Sequence, residues 1–449
     1  MPLWFQTALL PRGWIEGVRL HLAGGSIGRM ETGVEANSDD ERHAIAIPGL
    51  CNVHSHGFQR GMAGLAEVRG PAGDNFWTWR EVMYRFLDRL DPDQVEAITT
   101  LAYAEMLERG FTRAGEFHYL HHTPTGIPYD NPGELTERIA AAAASTGIGL
   151  TLLPVFYAHS NFGGAPPTSG QRRFISTIDQ FAALVEASRI AAARVPGANV
   201  GIAPHSLRAT TPDEMKAIVS LADDVPIHIH AAEQAKEVDD CVTWSGARPV
   251  EWLLEHLDVD SRWCLVHATH LTEAETRSLA ESEAVVGLCP ITEANLGDGI
   301  FPAHSYFQQA GRIGIGTDSN VQIDAAGELR ALEYAQRLNT RSRNVLAEAE
   351  DHSTGRQLFD HALAGGAQAL GQPGTGIREG GVADVVSLDA DDPVYYGRTG
   401  DAVLDSWVFA GGKIDRVWRA GQKVVERGRH IAGKEITSRY RRMIESVLE

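Results

Sequence analysis

Two histidines separated by one residue, His54 and His56, stand at the end of the apolar run AIAIPGLCNVHSH. Alternate residues of an extended strand point to the same face, so both imidazoles can bind one ion. His230 and Asp318 follow the apolar runs VPIHI and RIGIGT in the same way. Imidazole and carboxylate ligands without a thiolate are typical of zinc with an open position for water, although iron and manganese accept them too. The four residues predict one divalent metal ion that activates water.

Further side chains with catalytic chemistry lie close to these ligands in the sequence. Glu233 follows His230 by three residues in HAAE, which suits it to proton transfer beside the ion. His267 ends the run CLVH and is suited to stabilise negative charge on the attacking oxygen. Asp318 can also accept a proton from the water. We therefore predict Glu233, His267 and Asp318 as catalytic residues, and His270 as a structural residue at a helix entry.

Other histidines compete for the role of ligand. His228 shares a strand face with His230, and the H-x-x-E spacing favours His230. A second, bridged ion would need a ligand at the fourth strand end, where GIAPHSLRA offers no Lys and only His205, so one ion is favoured. The tract EFHYLHH is interpreted as a loop that makes hydrogen bonds through His118, His121 and His122.

The elements that must position these residues alternate between short apolar strands and helix-length segments such as PDQVEAITTLAYAEMLERG. Eight strand candidates are present: AIAIPGLCNVHSH, TRAGEFHY, GIGLTLLPVFY, NVGIAPHSL, VPIHIHAAE, RWCLVHATH, AVVGLCPITEAN and RIGIGTDSN. Eight strand–helix units predict an α/β fold of the closed (β/α)8 TIM-type barrel, whose active site lies at the carboxyl ends of the strands. The polar residues at those ends are His54, His56, Glu116, His118, His205, His230, His267, Glu293 and Asp318.

The two chain ends have a different pattern, with short apolar stretches broken by Gly. We predict that residues 1–47 and 373–449 form one small β-sandwich domain, and that residues 48–372 form the barrel. The strand candidates near the C-terminus are ADVVSLD, SWVFAGGK and RVWRAGQKVVERGR, followed by a helical tail, ITSRYRRMIESVL.

The amino-acid composition argues against several classes of partner and location. The chain has 40 Lys and Arg against 59 Asp and Glu, a formal net charge of −19, which argues against a nucleic-acid or anionic-membrane partner. Its four cysteines are scattered, as expected in a reducing compartment. No basic segment followed by a long apolar run opens the chain, and no uncharged run approaches a membrane span. We therefore expect a cytoplasmic protein.

Several motifs together resemble the amidohydrolase superfamily and, within it, the formimidoylglutamate deiminases: VHSHGFQRGMAGLAE, FWTWRE, EFHY, HSLRA, HIHAAEQ, CLVHATH, EANLGDG and GIGTDS. The likeness runs over nearly the whole chain. It implies hydrolysis of N-formimino-L-glutamate to N-formyl-L-glutamate and ammonia, a step in bacterial histidine degradation. The H-x-H pair, H-x-x-E and the last Asp are shared by many deaminases, whereas FWTWRE, EFHY and HSLRA carry the substrate-level resemblance.

The resemblance also assigns residues. It implies that His54, His56, His230 and Asp318 bind the metal and that Glu233 transfers protons. It also implies that His267 matches the family's histidine at the end of the sixth strand. It implies substrate binding by Gln59, Arg80, Tyr119, His205 and Arg208. Arginine forks suit a dicarboxylate substrate because they bind carboxylates through two parallel hydrogen bonds. Trp77 and Trp79 can wall the pocket or pack in the core.

Two other functions remain open from the sequence. One is a deaminase of the same superfamily that acts on a purine-type ring, which as a planar neutral base needs no pair of arginines. The other is a non-catalytic barrel scaffold, against which the intact ligand set argues. A homodimer is an expectation from the resemblance alone.

Overall fold

The computed structural model describes residues 1–71 and 73–448 of the chain. Its strands are β1 (Leu3–Leu10), β2 (Gly13–Ala23), β3 (Ser26–Glu31), β4 (Glu41–Pro48), β5 (Leu50–Ser55), β6 (Phe111–His118), β7 (Gly149–Phe156), β8 (Asn199–Val200), β9 (Ala203–Pro204), β10 (Ile227–Ala231), β11 (Trp263–His267), β12 (Val285–Leu288), β13 (Arg312–Ile315), β14 (Val385–Leu388), β15 (Ile414–Arg419), β16 (Gln422–Glu426) and β17 (Arg429–His430). Its α-helices are α1 (Phe76–Leu87), α2 (Pro92–Glu108), α3 (Glu134–Thr146), α4 (Ile178–Ala192), α5 (Pro212–Val219), α6 (Ala235–Ser245), α7 (Pro249–His256), α8 (Glu273–Glu281), α9 (Pro290–Leu296), α10 (Ala303–Gln308), α11 (Ala325–Thr340), α12 (Thr354–Ala369), α13 (Ala402–Ala410) and α14 (Gly433–Leu448).

A parallel barrel forms the larger part of the molecule. Its strands follow the order β10-β11-β12-β13-β5-β6-β7-β8, and the short strand β9 pairs with β7. Bridges between Ile202 and Ile227 and between Ser206 and His230 join the fourth strand segment to β10 and close the ring. All eight strands predicted from the sequence are present, the fourth as two short pieces, which confirms the (β/α)8 architecture.

The two chain ends meet in one mixed sheet of eight strands, in the order β17-β16-β15-β14-β4-β1-β2-β3. Only β1 and β4 run parallel in this sheet, and its other neighbours are antiparallel. The run AIAIPGLCNVHSH is therefore divided between the two units at Gly49, with β4 in the small sheet and β5 in the barrel. A Cβ at Gly49 would lie 2.2 Å from Thr112, so this crossing point requires glycine. The domain bounds given above stay a prediction.

The strand predicted for SWVFAGGK is wrong, because residues 402–410 form helix α13 and its C-cap is Gly411 in the left-handed region. Buried Val403, Leu404 and Trp407 lie at helical spacing along one face. A short apolar run fits a buried strand and a buried helix equally well, and here tertiary packing decides between them.

Helix α12 closes the mouth of the barrel opposite the predicted site. The carbonyl of Leu370, just after the helix, accepts hydrogen bonds from Thr151 (3.2 Å) and Asn199 (2.9 Å), which stand near the amino ends of their strands. Within the helix, Gly365 lies against β13 so closely that a Cβ there would be 1.9 Å from the carbonyl oxygen of Ile313. The absence of a side chain at Gly365 therefore sets how near α12 approaches the barrel.

The C-terminal helix α14 confirms the predicted helical tail and packs on α2. Arg439 pairs with Glu96 at 2.7 Å, and Gln94 donates to the hydroxyl of Ser446 at 3.0 Å. The small domain is thereby attached to the barrel through a helix as well as through β4. No helix in the described ranges has the length and apolar character needed to cross a membrane.

Gly365→Ala is expected to lower the free energy of unfolding by about 1–3 kcal/mol, because the added methyl must push α12 away from β13. Urea unfolding followed by circular dichroism measures the change. The matched control is Gly433→Ala at the start of α14, where the nearest heavy atoms to a new Cβ are 3.9 Å away. Equal midpoints for the two variants would contradict the close approach at Gly365.

Candidate active site

Four donor atoms converge at the carboxyl end of the barrel. Nε2 of His54 lies 3.2 Å from Nε2 of His56 and 3.1 Å from Nε2 of His230. Oδ1 of Asp318 lies 3.4 Å from Nε2 of His54 and 3.2 Å from Nε2 of His56. All four residues are buried. The structure thus brings together the four residues that the sequence assigned to the metal ion.

Backbone carbonyls fix the orientation of two of these imidazoles. Nδ1 of His56 donates to the carbonyl of Phe117 at 2.9 Å, and Nδ1 of His230 donates to the carbonyl of His205 at 3.0 Å. Since a carbonyl oxygen only accepts, each Nδ1 carries the hydrogen and each Nε2 keeps a lone pair. Asp318 follows β13 and forms a bridge with Ser55 of β5, which brings it beside the H-x-H pair.

This donor set fits a zinc-like ion. Ligands about 2.0–2.1 Å from a tetrahedral ion are separated from one another by roughly 3.3 Å. Four of the six pairs of donor atoms here are 3.1–3.4 Å apart. Burial lowers the pKa of His54 to about 3 and holds the pKa of His230 well below its usual range, so both imidazoles are neutral, as ligands must be.

The competing histidines have other contacts. Nε2 of His228 donates to the carbonyl of Ala369 at 2.8 Å, toward the opposite mouth of the barrel. Two residues of the EFHYLHH tract make the hydrogen bonds expected of them, His121 with Val155 at 2.8 Å and His122 with Ile175 at 2.7 Å. The prediction is wrong for His118, which ends β6 and whose ring nitrogens both lack a hydrogen-bond partner in the described part of the chain. Glu116 and His270 are also outside the ligand cluster: Glu116 accepts from the Gly57 amide, and His270 precedes α8.

Carboxylates surround His267 next to the ligand cluster. Its Nδ1 lies 3.2 Å from Oε1 of Glu293, and its Nε2 lies 3.8 Å from Oδ2 of Asp318 and 4.0 Å from Oε1 of Glu233. Burial opposes the charged imidazolium, but the hydrogen bond with Glu293 and the neighbouring carboxylates outweigh it and raise the pKa of His267 to about 10. Burial raises the pKa of Glu233 to about 7 against the opposing charges of His267 and Arg208. Glu233 can therefore both take and give a proton near neutral pH.

A pocket that is partly open to solvent lies above this cluster. Helix α1 supplies one wall, because Phe76, Trp79, Arg80, Met83 and Tyr84 recur at intervals of three and four residues and share a face. The other lining residues are His56, Gln59, Tyr119, Tyr157, Phe174, His205, Arg208, His230, Glu233, His267, Leu296 and Asp318. All five substrate-binding residues implied by the resemblance, Arg80 of α1 included, line this pocket.

Several polar atoms of this cavity are buried without a protein partner. Gln59 donates to the hydroxyl of Tyr119 at 2.8 Å. The guanidinium of Arg80 lies over the ring of Trp77 at 4.6 Å, and Nη2 of Arg208 lies 3.7 Å from Oε2 of Glu233. Among the described residues, Oε1 of Gln59 and Nε of both arginines have no hydrogen-bond partner. The two unpaired Nε–H groups of the arginines are donors and are suited to an anionic ligand.

Some lining residues were not predicted from the sequence. Phe76, Met83 and Tyr84 lie in α1, which the sequence analysis did not identify as a helix. Their position over the strand ends depends on how the loop before α1 folds. Tyr157 directly follows the apolar strand β7, which is the same signal that identified the metal ligands. Glu293 was predicted only as a polar residue at a strand end. Its hydrogen bond with His267 could be identified only from the three-dimensional structure.

Two protein-family models match the chain. The model described as "Amidohydrolase family" matches residues 45–424. The model described as "Formimidoylglutamate deiminase HutF, N-terminal domain" matches residues 4–44. The first match includes the whole barrel, and the second includes β2, β3 and all but the first residue of β1.

Individual proteins are similar over nearly the full length. The formimidoylglutamate deiminase of Pseudomonas aeruginosa is 50% identical over 97% of this chain and 96% of its own. A crystal structure of an amidohydrolase from Brucella melitensis has 53% identity and a TM-score of 0.97, and covers all of both chains. A zinc-bound adenosine deaminase from Xanthomonas campestris has 24% identity and a TM-score of 0.83 over 100% of this chain and 98% of its own, a likeness of fold.

His230→Gln is expected to reduce the divalent metal bound by the purified protein to nearly none, since Gln supplies no imidazole lone pair. His228→Gln is the matched control two residues earlier in β10, where the amide can still donate to Ala369. Metal analysis of both purified proteins measures the difference. If only the His228 variant loses the ion, His228 and not His230 is the metal ligand.

Proposed function

The chain belongs to the amidohydrolase family, and from that premise we propose that it is a formimidoylglutamate deiminase. It hydrolyses a C–N bond of N-formimino-L-glutamate, releasing N-formyl-L-glutamate and ammonia in histidine degradation. The similarity to the Pseudomonas aeruginosa enzyme supports this function, as does the family match at the N-terminus.

The observation that carries the proposal is the pairing of a metal-ligand cluster with two arginines in one cavity. Formiminoglutamate has two carboxylates, and Arg80 and Arg208 each keep a buried Nε free to donate. We assign substrate binding to these two residues together with Gln59, Tyr119 and His205. A planar neutral base would leave the buried Nε of both arginines without a carboxylate partner, which favours the dicarboxylate over a purine-type ring.

His54, His56, His230 and Asp318 would hold the metal ion, which we propose to be zinc. A bound ion of this kind lowers the pKa of water to about 7 and so supplies a nucleophile at neutral pH. Zinc suits the donor set of three nitrogens and one oxygen, and it is the metal named for the Xanthomonas campestris deaminase. The expected cytoplasmic location and homodimer stay predictions, as does the absence of nucleic-acid and membrane partners.

Three residues of the cavity have separate roles in the reaction. Asp318 accepts the proton of the attacking water as oxygen adds to the formimino carbon. His267 donates a hydrogen bond through Nε2 to the oxygen that becomes negative. The terminal nitrogen must gain two protons before it leaves as ammonia. Glu233 delivers one, and Asp318 returns the one that it took from the water. Glu233 recovers a proton from the hydroxyl of the intermediate as the formyl C=O bond forms, so the nitrogen attached to glutamate stays in the product.

Metal-replete protein incubated with N-formimino-L-glutamate is expected to give N-formyl-L-glutamate and ammonia in equal amounts, because the terminal nitrogen is the one protonated. Proton NMR of the formyl group and an ammonia assay measure both products. Adenosine and 8-oxoguanine serve as comparison substrates. Formamide with free glutamate would reverse the leaving group, and turnover of a purine compound alone would contradict the proposed substrate.

Glu233→Gln is expected to reduce kcat by about 10²–10⁴-fold while the bound metal is retained, because the amide cannot carry the proton. Steady-state kinetics and metal analysis of the same preparation measure the two effects. Glu237→Gln is the matched control, since Glu237 is also buried and lies four residues later. Its carboxylate accepts from the backbone amide of Glu233 at 3.1 Å, and the side-chain oxygen of Gln can accept the same hydrogen bond. Equal loss of kcat in both variants would remove Glu233 from proton transfer.

A further inference from the structure

A second group of metal-binding side chains adjoins the first. His267, Cys289 and Asp318 each offer one ligand atom, and these atoms lie within 4.8 Å of one another. All three residues are buried. Cys289 stands just after β12, as the N-cap of α9, and has no part in the reaction proposed above.

The two oxygens of Asp318 face different groups. Oδ1 faces His54 and His56 at 3.4 and 3.2 Å, whereas Oδ2 faces Nε2 of His267 at 3.8 Å. A carboxylate in this position can bind one ion through each oxygen. Paired ions in metalloenzymes are commonly about 3.5–4 Å apart, a separation that a bridging carboxylate spans.

The surroundings favour a second cation. Carboxylates of Glu233, Glu293 and Asp318 lie within 4.0 Å of the ring nitrogens of His267. Glu293 also accepts a hydrogen bond from the backbone amide of Cys289 at 2.8 Å. This hydrogen bond fixes the position of Cys289 beside the imidazole of His267. A thiol among carboxylates stays protonated until a strongly thiophilic ion compensates the thiolate charge.

We propose that Cys289, His267 and Asp318 form a second, inhibitory binding site for a thiophilic dication such as Cd²⁺ or excess Zn²⁺. Binding forms bonds from the ion to Sγ, Nε2 and Oδ2, and it releases the thiol proton and any proton on Nε2 to water without oxidation or reduction. Soft thiolate ligands select such ions over Mg²⁺ or Ca²⁺. Occupation removes His267 and Asp318 from the roles assigned to them and therefore reduces turnover.

Cadmium chloride titrated into protein that carries one zinc ion per chain tests the site. A second equivalent is expected to bind, with the ultraviolet charge-transfer absorption of a cadmium thiolate. Exchange of cadmium for zinc in the first site gives no such band, because that site has only nitrogen and oxygen donors. Cys289→Ser and Cys289→Ala are expected to lose both the band and the second equivalent while they keep the first ion.

Cys264→Ser is the matched control, since Cys264 is also a buried cysteine of the barrel and packs in the same small apolar cluster as Cys289. This variant is expected to retain the band. With N-formimino-L-glutamate as substrate, the second equivalent is expected to reduce turnover on the order of 100-fold, the effect of losing one stabilising donor. The Cys289 variants are expected to resist this inhibition.

A second equivalent that binds without the band, a band that persists in both Cys289 variants, or saturation at one ion would each overturn the proposal. Stoichiometry and absorption need no substrate. Failure of the second site is therefore distinguishable from failure of the proposed reaction, which rests on product analysis.

Discussion

Lone-pair donors that are buried close together repel one another. At the carboxyl end of the barrel, this repulsion among the ligand atoms must be offset for the site to be stable. Nε2 of His54 lies 3.1–3.4 Å from one donor atom of each of the other three ligands, His56, His230 and Asp318. His54 itself is fully buried. The neutral state of His54 and His230 leaves no proton to separate the lone pairs. A dication among them turns each repulsive pair into two attractive contacts, so the arrangement is stable when the ion is present.

The barrel keeps the donors in place through its backbone. The carbonyls of Phe117 and His205 each accept from the Nδ1 of one ligand, and both carbonyls belong to the strand-end segments next to that ligand. A register irregularity between β5 and β6, at Asn52 to Ser55, accompanies the turn of the H-x-H pair toward the centre. Ring orientation, tautomer and strand register are therefore coupled, and a slip of one strand would disturb the ion, the cavity wall and the hydrogen bonds together.

Much of this arrangement was predictable because the signals are local. Each metal ligand directly follows an apolar run, and the carboxyl ends of parallel strands meet at one mouth of a barrel. Contacts between distant segments were not predictable. The hydrogen bond of Glu293 with His267 joins residues 26 positions apart, and the wall formed by α1 depends on how the loop before it folds. The helical conformation of residues 402–410 was missed because a short apolar segment has the same composition in a buried helix and a buried strand.

Arg208 connects binding with proton transfer in the proposed reaction. In the free protein its guanidinium lies 3.7 Å from Glu233, and this positive charge opposes the burial that raises the pKa of Glu233 to about 7. A substrate carboxylate paired with Arg208 would neutralise that charge while it also excludes water from the cavity. Both changes disfavour the ionised form of Glu233, so its pKa rises on binding. The dicarboxylate thus prepares Glu233 to hold the proton that the leaving nitrogen needs, and a neutral ring, which offers Arg208 no counter-charge, does not.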